Sequence, residues 1–140
     1  LRILLVEDEE INRDLTRAIL ARANHPGLAD AQLLEADTLT VARAKMATAT
    51  VDILLLDVNL PDGSGLTLAQ ELCDNPPAHR PTIIALTAGI FPDQQRAALT
   101  AGCTTILSKP HTAQELLDVL IAALPPPSRV EGSVPVEDLA

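Results

Sequence analysis

The chain has 140 residues, a length that fits one domain able to bury a core of its own. Ten Lys and Arg against 19 Asp and Glu give a formal charge of −9, which argues against direct contact with nucleic acid or an anionic membrane. One Phe and no Trp or Tyr leave no platform for stacking bases, and two cysteines make neither a disulfide framework nor a metal knuckle.

Short apolar runs alternate with stretches of helical period. Arg2–Val6 (RILLV) predicts a buried strand that stops at acidic residues, and Ile11, Leu15, Ala18, Ile19 and Ala23 then recur at the spacing of a first helix. Asn24–Asp30, with Pro26 and Gly27, reads as a loop. Gln32–Ala36 follows as a second strand, and Leu39, Ala42 and Met46 mark a second helix opened by Thr38. Asp52–Leu56 (DILLL) is the third strand, with Asp57 at its end, and Leu60–Gly65 (LPDGSG) is turn chemistry. Leu66, Ala69, Leu72 and Cys73 mark one face of a third helix closed by Pro76 and Pro77, before a fourth strand at Thr82–Leu86. Asp93–Ala101 is a short fourth helix stopped by Gly102, and Thr104–Leu107 a fifth strand. Leu116, Leu117, Leu120, Ile121 and Leu124 give the clearest amphipathic helix, and Pro125–Pro127 ends the fold. Residues 1–124 thus form one domain, with 125–140 a Pro-rich linker or disordered tail.

Five strands and five helices in alternation predict an α/β fold: a doubly wound, flavodoxin-like parallel sheet of order 2-1-3-4-5 with helices on both faces. The ligand crevice of such a sheet lies outside the C-terminal ends of the first and third strands. Glu7 and Asp8 follow the first of these and Asp57 ends the other, so the fold gathers three carboxylates. Such charges repel one another unless a cation shares the site; all-oxygen donors in a half-open crevice suit Mg²⁺, with Mn²⁺ as the alternative ion. Thr87 ends the fourth strand, ahead of the small Ala88 and Gly89, and Lys109 lies just past the fifth, followed by Pro110. A divalent cation, an ammonium and a hydroxyl around a carboxylate would neutralise an incoming phosphoryl group, and a carboxylate can be the nucleophile. The constellation reads as phosphoryl transfer onto Asp57.

Over residues 2 to about 124 the chain resembles a receiver domain of the two-component response-regulator family. The resemblance rests on Glu7-Asp8, on Asp57 after DILLL, on Leu60-Pro61-Asp62-Gly63, on Thr87-Ala88 and on Lys109-Pro110, five short motifs in order at the right strand ends. It implies that Asp57 takes a phosphoryl group from a kinase phosphohistidine, and that Glu7, Asp8, Asp57 and the backbone carbonyl of Asn59 hold Mg²⁺. It also implies that Thr87 and Lys109 contact the phosphoryl oxygens and that a cis Lys109–Pro110 bond aims the lysine. Switching would run through Thr87, Ala88, Ile106 and Pro110 to the face of the fourth helix, fifth strand and fifth helix. The implied partner is a histidine kinase or a histidine phosphotransfer domain, with no direct nucleic acid or membrane contact, and the implied state is a monomer or weak dimer. The runs VEDEEIN and ALTA are similar to receivers attached to hybrid sensor kinases.

Several positions depart from the family pattern. Glu7 stands where Asp is common, Ile106 where a switching Tyr or Phe is frequent, and His111 where an apolar residue is usual. Ile106 removes any aromatic flip, so a pseudo-receiver that docks partners without phosphorylation is the alternative function. A haloacid-dehalogenase-type phosphatase would need its nucleophile on the first strand and a second Asp two residues on, where Asn59 stands. A flavodoxin-like FMN carrier would set its phosphate against Glu7 and Asp8. An EF-hand over Asp57–Leu68 fails because its twelfth residue is Leu. His25, His79 and His111 show no ligand spacing, and Cys73 and Cys103 read as reduced packing residues. The expected role is a signalling phosphoacceptor rather than an enzyme, apart from catalysis of its own phosphorylation and dephosphorylation. With no apolar run near the ~20 residues of a membrane span, it is expected in the cytoplasm, alone or as the cytoplasmic part of a membrane-anchored kinase. Beginning at Leu1 rather than Met, it reads as a piece of a longer chain.

Overall fold

The computed structural model describes residues 1–23, 25–29, 31–75, 81–87, 92–109 and 112–124. The expectations for Pro76, Pro77, His79, Ala88, Gly89, Pro110, His111 and the tail from Pro125 lie outside them. The elements run β1 (Arg2–Val6), α1 (Glu10–Ala21), α2 (Pro26–Ala29), β2 (Gln32–Ala36), α3 (Leu39–Thr48), β3 (Ile53–Asp57), β4 (Asn59–Leu60), β5 (Gly63–Ser64), α4 (Gly65–Asp74), β6 (Thr82–Thr87), α5 (Pro92–Thr100), β7 (Thr105–Ser108) and α6 (Ala113–Ala122). The main sheet is parallel throughout, in the order β2-β1-β3-β6-β7. This is the predicted doubly wound arrangement.

Strand alternation divides the core in two. Leu4, Val6, Leu54, Leu56, Ile83 and Ala85 face α3, α4 and α5, meeting Ala42, Leu68, Ala69 and Ala98. Ile3, Leu5, Ile53, Leu55, Ile84 and Leu107 face α1 and α6, meeting Ile19, Leu116 and Leu120. Both faces of the central strand are covered, so β3 is buried from Ile53 to Asp57 and its sequence is an unbroken apolar run until the acid.

The ends of the elements follow from local chemistry. Thr38 caps α3 by accepting from the Val41 N–H, and Thr112 and Glu115 form a reciprocal capping box on α6. After α5, Gly102 takes a positive φ of 100° while its N–H and that of Cys103 return to Leu99 and Ala98. That is the glycine-terminated turn its sequence predicts.

Four local readings need correction. The segment expected to be wholly loop holds a helical turn, α2, beginning at Pro26, whose fixed φ suits a first helical position. The stretch Leu60–Gly65 is more than a turn: β4 and β5 pair antiparallel, Asn59 with Ser64 and Leu60 with Gly63. On α1 the stripe Ile11, Leu15 and Ala18 does not face the core; Ile11 is 81% exposed and Leu15 51%. The inward face is instead Asn12, Thr16, Ile19 and Ala23, one residue round the helix. Thr16 tolerates burial because its hydroxyl donates to the Asn12 carbonyl at 3.0 Å. A similar shift on α4 buries Leu68 with Ala69 and leaves Cys73 exposed.

Gly65 joins α4 to the end of β3. Its N–H donates to the Val58 carbonyl at 2.8 Å, and a Cβ there would stand 2.0 Å from the Asp57 carbonyl oxygen. No other residue allows this approach.

Candidate functional site

The period of two along a strand decides which side chains meet. Glu7 continues the parity of Ile3 and Leu5, Asp57 that of Ile53 and Leu55, and Lys109 that of Leu107. All three therefore emerge on the α1 side at the C-terminal end of the sheet. They line a crevice of about 470 Å³ together with Asp8, Asn59 and Leu86, walled by Asn12, Leu15 and Thr16 of α1.

Glu7 is 1% exposed and Asp57 3%. The Lys109 ammonium bridges them, 2.7 Å from Glu7 Oε1 and 2.9 Å from Asp57 Oδ2. The remaining oxygens accept from the main chain: Asp57 Oδ1 from the Asn59 N–H at 3.1 Å, Glu7 Oε2 from that of Glu9 at 3.3 Å. Burial pushes the Glu7 carboxyl up to about 7, against the pull of Lys109 and with Asp57 adding to the rise. Burial also works against the charge on Lys109, but its bonds to Glu7 and Asp57 outweigh this and hold it above the ordinary lysine range.

Carboxylate oxygens of Glu7, Asp8 and the phosphoacceptor candidate Asp57 lie within 4.8 Å of one another, with Asp8 exposed at the mouth. With all three ionised, as a bound cation would favour, three carboxylates against one ammonium would leave two negative charges, which one divalent cation balances. Oxygen donors on one side of an open crevice fit a hard ion that keeps several waters, as Mg²⁺ does.

Thr87 is not part of this wall. It is buried with the parity of Ile83 and Ala85, so it faces the α5 side. There it lines a separate cavity of about 110 Å³ with Ile106, Gln94 and Ala97. Asn59 borders both spaces, and the Lys109 N–H donates to the Thr87 carbonyl at 2.7 Å, so the two are linked through main chain.

One residue near the site escapes the motifs, and another sits in a motif that does not disclose its role. Arg13 donates from Nη1 to the Glu7 carbonyl at 2.7 Å. The only signal for it is a cation one turn into the helix that follows the acidic pair. Asp62 accepts from the N–H groups of Leu39 at 2.9 Å and Thr40 at 3.1 Å, which ties the β4–β5 hairpin to the start of α3. The Leu39 bond above all holds its carboxyl below the usual aspartate value.

Residues 3–121 match the family model of the response regulator receiver domain. The chain belongs to that family. The receiver is 34% identical over 117 residues to the aerobic respiration control sensor protein ArcB of Escherichia coli (strain K12), a match covering 83% of this chain and 14% of ArcB. To the sensor histidine kinase AruS of Pseudomonas aeruginosa it is 34% identical over 119 residues, 83% of this chain and 11% of AruS. It therefore spans a small part of these relatives. Among solved structures, the signal receiver domain of an HD domain-containing protein from Pseudomonas fluorescens Pf-5 matches it with a TM-score of 0.74 at 29% identity, covering 88% of this receiver and 85% of that chain.

Proposed function

We propose that this receiver is a phosphorelay switch in which Asp57 accepts a phosphoryl group from the phosphohistidine of a histidine kinase or histidine phosphotransfer domain. The observation that carries the reading is the Lys109 ammonium seated between Glu7 and Asp57 on the floor of the acidic crevice. One Asp57 oxygen bonds to phosphorus as the donor's N–P bond breaks, the electron pair returning to the imidazole, which takes up a proton from solvent. Rate comes from alignment and charge offset rather than from new covalent chemistry in the protein. Glu7, Asp8, Asp57 and the backbone carbonyl of Asn59 would hold Mg²⁺, or Mn²⁺ in its place, which when bound offsets charge on the phosphoryl oxygens. Lys109, already beside Asp57, meets those oxygens from the opposite side.

Thr87 reaches the crevice by turning its hydroxyl from the α5 side, which changes the packing around Ile106 and carries the signal to the face of α5, β7 and α6. The kinase partner is favoured by the sensor proteins among the relatives. A cytoplasmic setting suits such a partner, and no helix of the described residues is long and apolar enough to cross a membrane.

The test is intact mass after incubation with acetyl phosphate, with and without Mg²⁺. Wild type is expected to gain one phosphoryl group only with Mg²⁺, and Asp57→Asn none. Silence of the wild type with both acetyl phosphate and a phosphorylated kinase domain would sink the proposal and leave a docking module that works unphosphorylated.

A further inference from the structure

The acids of the crevice do not hold themselves in place. The Glu7 N–H extends the β1–β2 ladder by donating to the Ala36 carbonyl at 2.9 Å. Its carbonyl is taken by the Arg13 guanidinium at 2.7 Å. That carbonyl belongs to the planar peptide joining Glu7 to Asp8, so fixing it fixes the directions in which both side chains leave the chain. Arg13 is in turn steadied from β2: its Nε lies 3.6 Å from Glu35 Oε1, and Glu35 is gripped by Arg17 at 2.8 and 2.9 Å. The Arg13 side chain is 18% exposed and does not line the crevice. It stands behind the site, where it bonds the main chain of Glu7.

We propose that Arg13 is a positioning residue for the acidic pair. It locks the Glu7–Asp8 peptide so that both carboxylates keep the spacing a divalent cation requires, with Glu35 holding the guanidinium from behind. The inference rests on the reading of Glu7 and Asp8 as cation ligands. A carbonyl that loses Arg13 can turn to water, so the cost falls on the aim of the carboxylates more than on the fold.

Titration calorimetry with Mg²⁺ tests this on wild type, Arg13→Ala and Arg13→Lys, alongside urea midpoints and the acetyl phosphate rate at saturating Mg²⁺. Arg13→Ala is expected to bind Mg²⁺ about tenfold more weakly, the low end of what losing a ligand's orienting partner costs. Its saturated rate should stay within about twofold of wild type, with the urea midpoint little changed. Arg13→Lys should recover to within about threefold of wild type, because an ammonium can still donate to the Glu7 carbonyl. Wild-type affinity in Arg13→Ala overturns the proposal. Should that variant not fold, Arg13→Gln decides: wild-type affinity there overturns it, and about threefold weakening with a normal midpoint supports it. A wild type that binds Mg²⁺ but takes no phosphoryl group removes the phosphorelay reading and leaves these affinities to decide on Arg13; a wild type that binds no Mg²⁺ overturns both.

Discussion

Helices α1 and α6 cover the same face of the sheet and yet differ in construction. The later helix opens with a reciprocal capping box and buries Leu116 and Leu120 completely in the core. The earlier one starts at Glu9 with no side-chain cap, leaves Ile11 and Leu15 outside, and turns Asn12 and Thr16 inward. Its first turn is tied instead to the acidic loop, through Arg13 to the Glu7 carbonyl and through Asn12, which donates to Glu9 Oε1 at 2.8 Å. The core sets the orientation of α6. At its start, α1 is oriented by the crevice it walls, and its apolar residues there are left over.

Substitutions should separate the two in urea unfolding. Leu120→Ala, at a position with no exposure, is expected to cost about 3 kcal/mol. A loss below about 1 kcal/mol would mean that the core does not set the orientation of α6. Thr112→Ala removes half of the capping box and should cost about 1 kcal/mol, whereas Glu9→Ala, on an uncapped start, should cost a few tenths. A third helix sharpens the contrast, because α3 is capped partly from a distance by Asp62. Its carboxyl is held below its ordinary value of 3.8, so its contribution is complete above that pH and is lost as pH falls through the lowered value. The stability gap between wild type and Asp62→Asn should therefore be constant above about pH 5 and narrow as pH falls below 3.8; a gap constant throughout would show that the charge is irrelevant. The smallest effect belongs to Ile11→Ala, which should change stability by less than about 0.5 kcal/mol.

The sheet was legible because its central strands β1 and β3 are near-continuous apolar runs that stop at acids, and Gln32–Ala36 and Arg2–Val6 have the bounds read from sequence. The acidic cluster was legible for the same reason: topology alone brings the ends of β1 and β3 together, and strand parity then selects Glu7, Asp57 and Lys109 for one side. Apolar spacing misled on α1 because it cannot tell a core from a crevice, and a hydroxyl bonded within its own helix, as in Thr16, is cheap to bury. Arg13 and the capping role of Asp62 within its motif were not legible, because each bonds main chain of another element and a polar side chain carries no periodic mark of its target. The separation of Thr87 from the crevice follows from the same parity, which motif order conceals.

The close approach of Gly65 to the Asp57 carbonyl has a mechanical side. A helix of ten residues is about 15 Å long, and α4 sets its first residue directly against the main chain of the candidate phosphoacceptor. No side chain intervenes to absorb a tilt. A side chain at position 65 would therefore have to push α4 away from the strand or shift the backbone that carries the aspartate.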